Sequence, residues 1–156
     1  MDDLREIEAI KRLKYKYMRC LDQKRWAEMA ECFTEDARTS YGDGKYAFAG
    51  RDAILRFLTD AMDRPSFLSS HRVHHPEIQL ESVDTARGTW ALEDFVLDPE
   101  RGLIIQGAAF YSDEYVKRDG VWRIRFTGYT RTFEYVEPLS GRPGLRLTAG
   151  YGAVDA

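Results

Sequence analysis

The chain has 156 residues, a length that suits one ordinary domain able to bury roughly two thirds of its unfolded surface around a single core. Hydrophobic residues make up 44% and charged residues 31%, and Lys+Arg 23 against Asp+Glu 26 leave a net charge of −3, which excludes disordered and collagenous classes. With no basic surplus and no Lys/Arg block, the footprint that nucleic acid or an anionic membrane requires is missing, and neither is an expected partner.

The opening Met1-Asp2-Asp3-Leu4-Arg5-Glu6 is too acidic for a signal peptide and no apolar run reaches the length of a membrane span, so the expected location is the cytoplasm. Leu4, Ile7, Ile10, Leu13, Tyr17, Cys20 and Leu21 recur at three- and four-residue steps with Arg5, Glu6, Lys11, Arg12 and Lys14 between them, the pattern of a long amphipathic helix. Trp26, Met29, Ala30 and Phe33 predict a second, short helix ended by Thr34-Glu35-Asp36. Cys20 and Cys32, too far apart for a CxxC motif, are expected as reduced thiols packed in these helices. Gly42-Asp43-Gly44 suggests a small hairpin, and Gly50-Arg51-Asp52 opens a third helix that Pro65 stops.

From there the period is two. Ser69 to His75 and Glu77 to Glu81 read as strand bent at Pro76; Thr85 to Leu97, Leu103 to Lys117 and Val121 to Val136 read as three long strands, with a tight turn at Asp119-Gly120. The fold class is α+β, a cone of curved antiparallel sheet closed by three N-terminal helices, with a single domain over 1–137 and an irregular tail over 138–156, draped on the body or crossing to a neighbouring subunit.

Three places break this pattern. Asp94 shares the phase of Ala86, Gly88, Trp90, Leu92 and Val96, so it points inward and needs a partner, unless a bulge turns it out. Asp22 stands at the unfavourable end of the first helix, five residues after Tyr17, where phenol and carboxylate can share a cavity mouth; a plain loop aspartate or a cap on the next helix is the alternative. His71-Arg72-Val73-His74-His75-Pro76 holds all three histidines, but their alternation and the lack of a spaced acid argue against a metal site. One imidazole, two inward acids and a tyrosine form a proton-transfer set. Tyr111, Tyr115, Tyr129, Arg131, Phe133 and Tyr135 share odd positions, lining the cone or covering its outside; Arg131 among them needs an anion, with Asp94, Asp22 or a substrate carboxylate or thioester tail as candidates. No GxSxG, GxGxxG or P-loop is present, so neither a serine nucleophile nor a nucleotide cofactor has a visible seat.

The runs Ile7 to Lys14, Tyr17-Met18-Arg19-Cys20-Leu21-Asp22 with Trp26 after it, Trp90-Ala91-Leu92-Glu93-Asp94, Phe110-Tyr111 with Asp113 and Tyr115, Gly120-Val121-Trp122-Arg123-Ile124 and Gly128-Tyr129-Thr130-Arg131 together resemble the SnoaL-like polyketide cyclase and scytalone dehydratase group of the nuclear transport factor 2-like superfamily, and within it the bile acid 7α-dehydratase branch. The loop Asp98 to Gly102 and the tail after Val136 depart from that branch. The resemblance implies catalytic roles for Tyr17, Asp22, His71 and Asp94; the inward phase of Asp94 leads to the expectation that His71 and Asp94 are hydrogen-bonded to each other, with Tyr17 held by Asp22 and Arg131, Tyr129, Tyr111 and Trp90 as candidate substrate contacts. The resemblance further implies a dehydratase that needs no cofactor or metal, acts on a hydrophobic cyclic hydroxy-ketone such as a steroid or polyketide, free or as a coenzyme A thioester, and assembles as a homodimer or homotrimer. An isomerase or cyclase on the same substrates, and a noncatalytic carrier of apolar ligands, are the alternatives.

Overall fold

The computed structural model describes residues 3–150. Three helices, α1 (Asp3–Asp22), α2 (Trp26–Ala30) and α3 (Arg51–Met62), accompany six strands: β1 (Phe33–Tyr41), β2 (Tyr46–Ala49), β3 (Leu68–Leu80), β4 (Thr85–Asp98), β5 (Leu103–Arg118) and β6 (Val121–Pro138). They form one curved sheet in the order β2-β1-β6-β5-β4-β3, with the helices packed against it, as the change of period from 3.6 to 2 requires.

α1 buries Ile10, Tyr17, Met18, Cys20 and Leu21 against the sheet, each large apolar side chain contributing about 1.5–3 kcal/mol relative to exposure. Lys14 is buried with them, because it stands four residues after Ile10 and three before Tyr17 and so shares their face. Its place with Arg5, Glu6, Lys11 and Arg12 between the apolar positions is thereby corrected.

The second helix ends at Ala30, and Phe33 starts β1 rather than continuing it; Cys32 sits in the intervening turn, so only Cys20 is helical, although both thiols are free and buried. Burial lifts the Cys32 thiol to about 12. β1 is longer than the expected hairpin and lies parallel to β6, which makes the sheet mixed instead of wholly antiparallel. Polar Thr34, Glu35 and Asp36 disguise this strand in the sequence: Thr34 is buried but Glu35 and Asp36 face solvent.

β3 is continuous through Pro76, but its pairing with β4 slips between His74 and Glu77, and His75 takes a left-handed φ of 47° there. Asp119 and Gly120, at φ 54° and 77°, form the primed turn that joins β5 to β6. A second slip, between Ala108 and Ala109 of β5, inserts Thr132 as an extra residue in β6. That bulge reverses the phase of β6. Tyr129 and Arg131 point into the fold, while Phe133 and Tyr135 are exposed on its outer face with Phe95 and Phe110. After Pro138 a single 3-10 turn, Leu139–Gly141, leads into exposed chain, and residues 151–156 of the expected tail lie outside the described residues. No helix is long and apolar enough to cross a membrane among the described residues.

Candidate active site

A cavity of ≈ 160 Å³ lies between the helices and the concave face of the sheet. Tyr17 and Leu21 of α1, Tyr41 of β1, Phe57 and Met62 of α3, His71 of β3, Leu92 and Asp94 of β4, Tyr111 of β5, and Tyr129 and Arg131 of β6 line it. Its walls are thus aromatic and aliphatic, with three ionisable groups (His71, Asp94, Arg131) and a set of phenols as the polar features.

His71 and Asp94 are direct cross-strand partners, yet they are not each other's hydrogen-bond partners. The imidazole turns toward the end of α1, where Nδ1 meets Asp22 Oδ1 at 2.6 Å; the His71 amide donates to Asp22 Oδ2 at 2.8 Å, and Ser69 Oγ donates to Oδ1 at 2.9 Å. A carboxylate engaged by three donors is an acceptor only, so Nδ1 carries the proton and Nε2 holds the free lone pair. Asp22 itself does not line the cavity; it reaches it through His71, from an outer groove shared with Tyr15, Met18 and Gln23. This explains an acid at a helix C-terminus: it orients a histidine.

Asp94 does not take His71, as expected, but Arg131, for which it was one of the candidate anions. Arg131 of β6 reaches across β5 and grips it through two bonds, Nη1 to Oδ1 at 2.5 Å and Nη2 to Oδ2 at 2.9 Å, and Nη2 also meets Glu134 at 3.0 Å. The fork geometry of guanidinium on carboxylate outcompetes a single imidazole bond. Gly107 makes the reach possible, since it is paired with Asp94 on one side and Glu134 on the other, and a Cβ there would stand 2.7 Å from Arg131 Nη1 and 2.9 Å from the Phe133 carbonyl oxygen. The guanidinium also lies 4.9 Å from the centre of the Tyr129 ring.

Tyr17 is not held by Asp22 either. Its hydroxyl pairs with that of Tyr41 at 2.8 Å, and both phenols are buried. Burial pushes the Tyr17 and Tyr41 phenols above their ordinary range, so they remain protonated donors in the cavity. Tyr111 and Tyr129 stand as expected on the lining, edge to face at 5.5 Å, whereas Trp90 does not. Trp90 is fully buried and donates to Tyr115 Oη at 2.9 Å, which corrects its assignment as a substrate contact. Of the other histidines, His74 meets the exposed Glu93 at 3.2 Å, and no group of three or more His, Cys, Asp or Glu that could hold a metal ion occurs among the described residues.

Tyr41, Gly107 and Phe57 escaped the sequence reading. Tyr41 could have been found from the alternation Ala37, Thr39, Tyr41, had the strand been recognised; a glycine that opens a window for a side chain two strands away leaves no periodic signal.

The SnoaL-like domain family matches residues 2–127. The chain belongs to this family. Among solved structures, this SnoaL-like protein is similar to a candidate scytalone dehydratase of Novosphingobium aromaticivorans DSM 12444, with 23% identity over 99% of this chain and 97% of that one and a TM-score of 0.79. It is also similar to the hexachlorocyclohexane dehydrochlorinase LinA-type3 of Novosphingobium barchaimii LL02 (22% identity, 95% and 97% covered, TM-score 0.78). ActVI-ORFA of Streptomyces coelicolor follows at 19% identity, 81% and 96% covered, with a TM-score of 0.69. At these identities the likeness speaks for the shared fold.

Proposed function

We propose that this SnoaL-like protein is a lyase that needs no cofactor and removes water from a neutral, apolar cyclic hydroxy-ketone by proton transfer through His71. The observation that carries this reading is the Asp22–His71 pair, which leaves Nε2 free on a histidine that lines a largely aromatic and aliphatic cavity, beside the paired hydroxyls of Tyr17 and Tyr41.

In this scheme Nε2 takes the acidic C–H proton next to the carbonyl, and the C–H electron pair passes into an enolate. A hydroxyl of the Tyr17–Tyr41 pair donates to the enolate oxygen as its charge develops. The enolate then re-forms the carbonyl and expels the β-hydroxyl, which takes the proton from Nε2–H and leaves as water, returning the imidazole to its starting form. Isomerisation or ring closure would use the same groups and differ in where the proton returns. Asp94 serves this reaction by fixing Arg131 at the cavity wall rather than by holding the imidazole.

The neutral substrate follows from charge matching. Arg131 is the one Arg or Lys among the described lining residues, and Asp94 and Glu134 already neutralise it, so a substrate carboxylate would find no open counter-ion. The size of the cavity matters too. An engineered cavity of about 150 Å³ accommodates benzene, so ≈ 160 Å³ holds the reacting ring, and the rest of a steroid, polyketide or thioester would extend past Tyr46 and Phe57 at the α3 side. The exposed Phe95, Phe110, Phe133 and Tyr135 on the outer sheet face support pairing with further copies of the chain.

The test is a panel of cyclic β-hydroxy-ketones, ketosteroid and polyketide-like, followed by the rise of enone absorbance. Turnover by the wild type that His71→Ala abolishes is the expected result; absence of turnover across the panel, with tight binding of the same compounds, would move the protein to the carrier reading.

A further inference from the structure

Beneath the cavity lies a charged pair that the scheme above does not use. Lys14 and Asp113 are both fully buried at the side chain, and Lys14 Nζ stands 2.7 Å from Asp113 Oδ2. Periodicity puts them there: Lys14 shares the inward face of α1 with Ile10 and Tyr17, and Asp113 shares that of β5 with Tyr111 and Tyr115. The carboxylate is fully engaged. Tyr115 Oη donates to Oδ2 and Thr127 Oγ1 donates to Oδ1, each at 2.6 Å, and Trp90 in turn donates to Tyr115. The ammonium has a second side. It also reaches Thr127 Oγ1 at 3.4 Å, and it sits 3.5 Å from the centre of the Tyr111 ring and 4.8 Å from that of Tyr17.

Stability does not account for this arrangement. Two buried charges must recover a desolvation cost that well-packed apolar residues of the same volume never incur, and such replacements are commonly neutral or better. What the pair supplies that Leu or Met could not is a positive charge on the faces of two phenols whose hydroxyl ends reach the cavity. A cation on a ring face draws electron density from the ring and strengthens its hydroxyl as a donor. Burial foremost, with the neighbouring phenols and Asp113 behind it, pushes the Tyr17 and Tyr111 phenols up, so both stay protonated and able to donate.

We infer that Lys14, fixed by Asp113, is a positioning residue that polarises the Tyr111 and Tyr17 phenols toward a substrate oxygen that gains negative charge. The inference rests on the proposed role of the cavity phenols as donors, and it adds the source of their strength. The substrate enters neutral but its enolate oxygen does not stay so, and the prediction concerns that oxygen: the cavity favours an aromatic oxyanion that imitates it over a neutral ring of the same size, and the buried pair is the cause.

The test uses two probes, 4-nitrophenolate and nitrobenzene, with binding measured on the whole protein above the pKa of the phenol. The ratio of their affinities is compared in the wild type, in the charge-free double variants Lys14→Met/Asp113→Leu and Lys14→Gln/Asp113→Asn, and in Tyr17→Phe and Tyr111→Phe. Both double variants remove the pair together, so neither leaves one buried charge alone, and the polar version keeps hydrogen-bonding groups if the apolar one fails to fold. The expected result is a loss of phenolate preference of about tenfold in a folded double variant, with nitrobenzene affinity unchanged. A preference that survives in the double variant but vanishes in the tyrosine variants overturns the inference and leaves the phenol reading standing. A wild type with no preference overturns both.

Discussion

Asp22 and His71, 49 positions apart in sequence, are joined by two bonds, one to the ring and one to the backbone of the histidine. The second bond matters as much as the first. With the His71 amide and Ser69 hydroxyl also donating to it, the carboxylate cannot rotate away, so the ring is held in one tautomer, Nδ1–H on Asp22 and Nε2 free, at the cavity wall.

Two substitutions read this relationship out. His71→Ala removes the base and is expected to lower turnover by about a hundred to ten thousand fold with the fold intact. Asp22→Asn has one carbonyl oxygen to offer three donors, so either the backbone amide or Nδ1 meets an NH₂ group, and a loss of roughly the same size follows if the ring flips tautomer. Steady-state kinetics on whichever ketone proves to be a substrate decides it. An Asp22→Asn enzyme as fast as the wild type would show that the pair does no more than brace α1 against β3.

Gly107 is the window through which Arg131 reaches Asp94, and Gly107→Ala closes it. The Phe133 carbonyl cannot retreat, so the guanidinium must, and Asp94 is left buried without its partner. Breaking such a pair costs about 3–5 kcal/mol when fully buried; here the partial exposure of Arg131 lowers the expected loss to roughly 2–3 kcal/mol. Urea unfolding measures it, and a Gly107→Ala protein with an unchanged midpoint would remove the steric account.

These cases show what was legible in the sequence. The turn to period two after Pro65, the inward phase of Asp94 and the odd acid at Asp22 all follow from side-chain alternation, and each names a residue that the structure places at or beside the cavity. Pairing was not legible. Two acids, one histidine and one arginine allow several matches, and the choice fell to a bulge at Thr132 and a missing Cβ at Gly107, neither of which has a period. The first half of β1 was missed for a related reason: its polar start imitates a helix end, and there its strand partner lies on β6, some ninety residues later, rather than on β2 across the expected hairpin.

Acid should loosen the other end of α1 as well. Glu6 accepts from Lys117 Nζ at 2.7 Å and from Trp122 Nε1 at 2.6 Å, and these bonds, Lys117's foremost, hold its carboxyl below the ordinary Glu value of 4.5. A carboxyl lowered in the folded state stabilises the fold above its unfolded value, and that stability is lost as pH falls through the folded one. Glu6→Gln should therefore lower the melting temperature near neutral pH and make it less dependent on pH below 4.5. Parallel melts of the two proteins from neutral to acid pH test this; curves that stay equally far apart throughout would assign the acid sensitivity elsewhere.

The Tyr17–Tyr41 pair yields the last prediction, which separates a donor unit from two independent contacts. Either hydroxyl can donate to the other, so when a carbonyl oxygen arrives one O–H turns to it while its neighbour donates to the oxygen thus freed. Removing either hydroxyl breaks the same relay. Tyr17→Phe and Tyr41→Phe should each reduce kcat by about 10²–10³-fold, the usual worth of one donor to a developing oxyanion, with KM little changed. The double variant should be no worse than about the poorer single one, because groups that act as a unit are not additive. Each single variant also leaves one buried hydroxyl unpaired, at a cost of about 1–3 kcal/mol that the double variant does not incur, so it should melt higher than either single one. Burial holds both phenols above their ordinary range, so the wild type should keep its activity through pH 10, the ordinary tyrosine value, as far as these groups decide it. Additive losses in kcat would split the pair into two separate contacts, and an alkaline limb that vanishes in Tyr17→Phe would show that the Tyr17 phenol ionises where its burial says it should not.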